Sequence, residues 1–249
     1  MYASNRPPNP SNYSQRNISI KGAIVTYVLL GITLAVFLIQ LISQTILGGD
    51  YPAALGMKVN EMIVRGQLWR LITPVLLHGS ILHLGFNMYA LYILGPGLER
   101  QYGSGRFLAL YLLSGFAGNV VSFLFSSAPS LGSSTAIFGL IGAQGIFLYE
   151  NREVFGAAAQ RALMNVVIIA AINLVIGLQP GIDNWGHIGG LIGGTMYAWL
   201  GGPKYRVMGG TFFPSISDER GSGDSIRAGI VVLVVFTILA GLKIYFQLF

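Results

Sequence analysis

The chain has 249 residues, 53% hydrophobic and only 10% charged, and its mean hydropathy of +0.64 belongs to a polytopic membrane protein rather than a soluble enzyme. With no cysteine it can have no disulfide framework, thiolate metal site or thiol nucleophile. The formal net charge of +6 comes from scattered basic residues with no nucleic-acid motif among them, so it reads as topology information and excludes nucleic acid as a partner.

Residues 1–21 are polar and rich in Asn, Ser and Pro, lack the apolar region of a signal peptide, and predict a disordered cytoplasmic tail. Seven apolar stretches follow, near 22–47, 79–97, 106–127, 134–149, 161–178, 185–201 and 227–248. Each has or approaches the ~20 residues that a membrane helix needs. The loop over 48–78 is long for a membrane connector and carries Trp69-Arg70, an aromatic and cation pair suited to the headgroup region. Residues 204–226, rich in Gly, Ser, Asp and Pro, predict a cytoplasmic linker to a peripheral seventh helix at 227–249.

Eleven of the fifteen Lys and Arg residues lie in the tail or in the loops after the second, fourth and sixth segments. That bias predicts a cytoplasmic N-terminus and a C-terminus on the other side. The expected architecture is an all-α, integral multi-pass membrane protein with a six-helix core over 22–203 and one further C-terminal helix. No internal repeat is visible, which argues against an inverted-repeat transporter.

Polar groups capable of chemistry are few, and they sit where they are costly. Ser134 opens the fourth segment within Gly132-Ser133-Ser134-Thr135, and His187 opens the sixth, followed at helical spacing by Gly190 and Gly194. An intramembrane histidine is a functional-site candidate by default. Glycines four apart let two membrane helices approach backbone to backbone. If that face meets the fourth segment, His187 reaches the Ser134 hydroxyl as a general base. The fourth segment has about 16 apolar residues before Glu150, roughly 24 Å of helix against a ~30 Å hydrocarbon core, so Ser134 is expected beneath the membrane surface in a water-accessible depression.

His83 and Asn87 lie four apart on one face of the second segment, and both can donate hydrogen bonds to a developing oxyanion. Each feature has a plainer role: a serine as helix cap, a Gly-xxx-Gly face as packing, an Asn as an interhelical bond. Ser134 is favoured over Ser133 as the last residue of Gly132-x-Ser134. His78, at the edge of its segment, is expected to make structural hydrogen bonds. Asp183, one turn before His187, reads as a solvated loop residue, which leaves a Ser-His dyad rather than a triad. Three histidines with no carboxylate in the central segments make a poor metal site.

Together these residues resemble the rhomboid intramembrane serine proteases. The resemblance covers about residues 60 to 200 and rests on Trp69-Arg70, His83-x-x-x-Asn87, Gly95-x-x-x-Glu99-x-x-x-Gly103, Gly132-x-Ser134 and His187-x-x-Gly190-x-x-x-Gly194, in that order. It implies Ser134 as nucleophile and His187 as general base, with His83, Asn87 and Gly132 at the oxyanion and substrate-binding region beside backbone amides near Ser134. Glu99 and Arg70 match positions that family uses structurally. Transmembrane segments of single-pass or polytopic membrane proteins are the implied substrates and the lipid bilayer the medium, with no cofactor and no metal. Nothing in the pattern specifies an oligomeric state. Three positions depart from the family: Thr135 stands where a Gly is usual, Phe138 where a Tyr often stacks on the histidine, and Gly186 where an Ala is common. The alternative within the same fold is a catalytically silent protein that binds membrane clients.

Overall fold

The computed structural model describes residues 22–208 and 215–248. The tail predicted over residues 1–21 lies outside the described residues. The elements run α1 (Ile24–Leu47), α2 (Tyr51–Gly56), α3 (Asn60–Val64), two 3₁₀ turns (Leu68–Leu71 and Thr73–Leu76), α4 (Ile81–Tyr102), α5 (Ser104–Phe125), α6 (Ser134–Glu150), α7 (Arg152–Ile176), α8 (Asn184–Gly201), β1 (Tyr205–Met208), β2 (Ser215–Asp218) and α9 (Ser222–Leu248).

Five of these helices, α1, α4, α5, α7 and α9, are long and apolar enough to cross a membrane. Their outward faces carry Ile32, Ile39, Ile46, Phe86, Ile172, Val175, Val234 and Ile238, all exposed. Such faces are tolerable only against lipid, and helices satisfy every backbone hydrogen bond internally. The protein is an integral multi-pass membrane protein. Its core forms around α5, 72% of whose span is buried, whereas α7 is 6% buried and lies at the periphery.

α6 and α8 pack against α5 and against each other through small residues. A Cβ at Gly190 would stand 1.9 Å from Thr135 O, and one at Gly194 would stand 2.3 Å from Gly139 O. Association between membrane helices rests on such close backbone contact, because lipid removes the usual hydrophobic drive. The two short interior helices that carry the predicted site are thereby locked together.

Helix ends are capped by neighbouring residues and by distant ones. Ser80 Oγ accepts from His83 N at the start of α4, and Asp50 caps α2 through Ala53 N. Glu99, deep in α4, accepts from Val25 N, Thr26 N, Thr26 Oγ1 and Ser104 Oγ, which satisfies orphan donors at the head of α1.

The stretch predicted as a linker contains β1 and β2, an antiparallel pair in the register Tyr205↔Asp218 to Met208↔Ser215. α9 begins at Ser222 and α7 at Arg152, both earlier than the apolar runs suggest. A partly buried charge network holds the β pair and the start of α9. Arg106 of α5 meets Asp218 at 2.6 Å and Ser225 Oγ at 2.6 Å. Arg220 makes a two-pronged bond to Glu150 at 2.7 and 2.8 Å. These pairs tie strand, α9 and the lower end of α6 to the core, and polar residues that look like linker in one dimension become fixed structure.

Candidate active site

Ser134 stands at the first residue of α6, at the end of a loop held in an unusual backbone path. Gly132 has φ of 134°, a region that favours glycine, and its N–H donates to Pro74 O at 2.9 Å. The absent side chain matters as well: a Cβ there would meet His83 Cε1 and Nε2 at 2.7 Å and lie 3.7 Å from Ser134 Oγ. The His83 ring and the Ser134 hydroxyl therefore border one small space, and glycine keeps it open.

His187 comes from the first turn of α8. Asp183 caps that helix, accepting from Gly186 N at 3.0 Å, and its carbonyl accepts from His187 N at 3.2 Å. Its other carboxylate oxygen accepts a short hydrogen bond from Ser122 Oγ of α5. Asp183 is thus an anchored cap rather than the solvated loop residue expected from its surroundings in sequence. Neither bond reaches the imidazole of His187.

The close contact of α6 and α8 brings His187 Nε2 to 3.0 Å from Ser134 Oγ. That is hydrogen-bond distance for a hydroxyl donating to a neutral imidazole, the arrangement that activates a serine. Phe138, one turn along α6, stacks on the His187 ring at 4.3 Å with 13° between the planes, so Phe fills the expected stacking role. Among the described residues His187 Nδ1 has no protein partner.

A second Ser-His pair lies beside the first. Ser133 Oγ is 3.3 Å from His78 Nε2, and the two residues are 0% and 1% exposed. The Gln40 side chain brackets His78, accepting from its N–H and donating to its carbonyl, both at 3.1 Å. Burial, aided by nearby His83, pushes His78 down to about 4, so it is neutral at pH 7. This sealed pair has no room for a reacting carbonyl. Ser134, by contrast, is partly exposed.

His83 packs edge-on against His78 with ring centroids 5.0 Å apart. Asn87 is 6% exposed, and its Nδ2 donates to His83 O at 3.0 Å, which leaves one amide hydrogen for another acceptor. The first-turn N–H groups of α6 have no intrahelical acceptors, and Ser133 provides no side-chain cap for them. Donors at a helix N-terminus, where the dipole is positive, suit a developing negative charge.

A family model described as Rhomboid domain matches residues 65–204. The Rhomboid protease GluP of Bacillus subtilis (strain 168) is 42% identical over 186 residues, 74% of this chain and 36% of that protein. Two Arabidopsis thaliana proteins also match: RHOMBOID-like protein 6, mitochondrial, is 44% identical over 56% of this chain and 46% of its own length, and RHOMBOID-like protein 5 is 36% identical over 70% and 59%. The chain belongs to the rhomboid family. It spans between 36% and 59% of the length of these relatives.

Two residues of this rhomboid's first loop do more than their sequence context suggests. Trp69 is half exposed, as an interfacial residue should be, but Arg70 is 4% exposed and turns inward to donate to Met57 O, Ala54 O and Gln67 Oε1. Lys58, which reads as an ordinary loop cation, is fully buried and donates to Ser122, Ser126 and Ala128. No feature of the sequence marks it, because its acceptors, a serine hydroxyl and main-chain carbonyls, lie more than sixty residues away.

Proposed function

We propose that this rhomboid is an intramembrane serine endopeptidase that cleaves transmembrane segments of membrane proteins with a Ser134–His187 dyad. The observation that carries the reading is a partly exposed Ser134 Oγ 3.0 Å from His187 Nε2. His187, kept in place by Phe138 and the α8 cap, takes the hydroxyl proton as Ser134 attacks the substrate carbonyl. The tetrahedral oxyanion is met by first-turn amides of α6, by His83 Nε2 and by the remaining amide hydrogen of Asn87, across the space that Gly132 leaves open. The His187 imidazolium then protonates the departing amine. Water, activated by the same histidine, hydrolyses the acyl-enzyme. Asp183 acts on this scheme by capping α8, so the machinery is a dyad.

α6 has 17 residues and α8 has 18, and both carry their reacting groups at the N-terminal end. Together with the five longer helices they complete a six-plus-one arrangement, with a core over 22–203, a seventh span over 227–249 and a cytoplasmic N-terminus. The dyad then faces the non-cytoplasmic side, and substrates reach it from the bilayer as single-pass or polytopic proteins.

The test is labelling of the detergent-solubilised protein with a fluorophosphonate probe. Labelling is expected in wild type, lost in Ser134→Ala and His187→Ala, and retained in Ser133→Ala. Loss in Ser133→Ala with retention in Ser134→Ala would move the nucleophile to the sealed pair. An unlabelled, folded wild type would transfer the reading to a client-binding protein.

A further inference from the structure

Among the described residues Lys58 is the most completely buried charge, and its surroundings are built for it. Its Nζ lies 2.8 Å from Ala128 O, 2.9 Å from Ser126 O, 3.1 Å from Ser122 Oγ and 3.4 Å from Ser122 O. An ammonium has three hydrogens, so the four oxygens share them. Ser122 lies in the last turn of α5 and Ser126 is its C-cap, so two of the carbonyls stand at the negative end of the helix dipole; Ser122 O also accepts from Ser126 N at 2.8 Å. The main chain joins as well: Lys58 N donates to Ser130 O at 2.9 Å and Ser130 N to Lys58 O at 3.1 Å. Asn60 adds a bond to Ser126 O at 2.9 Å.

The segment held in this way runs straight into Gly132, Ser133 and Ser134. On the other side, the Ser122 hydroxyl that accepts from Lys58 donates to Asp183, the residue that caps α8 in front of His187. One ammonium thus stands at the junction of the two supports that set the Ser134–His187 separation. We infer that Lys58 is a positioning residue of the proteolytic site, a charged strut that holds the α5–α6 loop and the α8 cap in register so that nucleophile and base meet. It touches no reacting atom. This role rests on the protease reading above.

The cation, rather than the bulk of the side chain, is what the site requires. Burial lowers Lys58 to about 8, and Asp183, the charged group facing it, opposes that shift. Among the described residues, what α5, the following loop and its own loop present to it is Ser122, main-chain carbonyls and Asn60. A neutral amine keeps two donors and loses the attraction to the helix end, so the strut weakens as pH passes through about 8.

The sign for stability is opposite. A folded value below the free value of 10.5 means that the unfolded chain holds the proton more tightly, so folding becomes more favourable as pH rises from about 8 towards 10.5. A merely structural lysine would leave activity following stability. A positioning lysine makes activity fall while stability does not.

The experiment measures fluorophosphonate labelling rate per folded molecule, and kcat and KM on a model transmembrane substrate, for wild type, Lys58→Met, Lys58→Arg and Ser122→Ala from about pH 6 to about pH 10. A shift of the dyad by about 1 Å costs on the order of a hundredfold, so Lys58→Met is expected to lower kcat at least about tenfold with KM changed less than about twofold. Wild-type labelling is expected to fall above pH 8 without loss of fold. Lys58→Arg, whose guanidinium does not titrate there, is expected to restore part of the neutral-pH rate and to lack that alkaline limb. Wild-type labelling rates in folded Lys58→Met overturn the proposal. If Lys58→Met does not fold, full activity in Ser122→Ala together with no alkaline limb in wild type overturns it. Absence of labelling in wild type overturns the protease reading, and the strut with it.

Discussion

Gly190→Ala adds one methyl group at the tightest point between α6 and α8. The new Cβ would stand 1.9 Å from Thr135 O, whereas ordinary contact begins at 3.4 Å, so the helices must part by about 1.5 Å. The obstacle is backbone on both sides and cannot rotate away. Ser134 precedes Thr135, and His187 lies one turn before Gly190, so most of that displacement reaches the 3.0 Å gap between Ser134 Oγ and His187 Nε2. A gap beyond about 4 Å is no hydrogen bond. Loss of general-base assistance lowers the rate by about 10² to 10⁴. Overpacking itself costs about 1–3 kcal/mol, which a marginally stable fold survives. The assay is fluorophosphonate labelling per folded molecule beside a thermal melt in detergent, with Gly241→Ala in α9, whose added Cβ meets nothing within 4 Å, as the control. Labelling of Gly190→Ala at the wild-type rate would refute the coupling of helix spacing to the dyad.

Other outcomes follow from the same geometry. His78, held at about 4 against a free value of 6.5, is neutral in the fold while the unfolded chain binds the proton more readily; stability is full above pH 6.5 and falls by up to about 3 kcal/mol as pH drops through 4. Comparing acid melts of wild type with those of His78→Gln isolates that contribution, and equal slopes would contradict it. Phe138→Leu removes the ring stacked on His187 and is expected to slow labelling about two- to tenfold, the equivalent of about 0.5–1.5 kcal/mol, whereas Phe138→Tyr retains the stack and the rate. Glu99→Ala leaves Val25 N and Thr26 N at the head of α1 without acceptors, at about 1–3 kcal/mol for each buried donor, so a clear drop in melting temperature is expected with the labelling rate of the surviving folded protein preserved.

The membrane class and the helical segments were legible because hydropathy and segment length are local properties that lipid enforces residue by residue. The approach of Ser134 and His187 could be anticipated for a related reason. Glycines at four-residue spacing announce a contact face before its partner is known, and Gly190 and Gly194 do meet the α6 backbone. The family was legible as well, since the order of the motifs points to the same family as the rhomboid model that matches residues 65–204.

Tertiary structure decided what spacing leaves open. Ser133 and Ser134 are adjacent and chemically identical; the Gly132-x-Ser134 pattern favours the second, and burial is the physical difference between the sealed pair with His78 and the accessible pair with His187. Arg106 finds Asp218, and Arg220 finds Glu150, so a supposed linker contains a two-stranded sheet and α9 starts early. Asp183 and Lys58 look like loop charges until α5 is set between them. The sequence by itself determined that this is a multi-span helical membrane protein and which few polar groups its apolar helices carry. Which of those groups are sealed, which are opened and which are joined was decided by the fold, because ion pairs and main-chain hydrogen bonds between residues far apart in the chain leave no periodic trace.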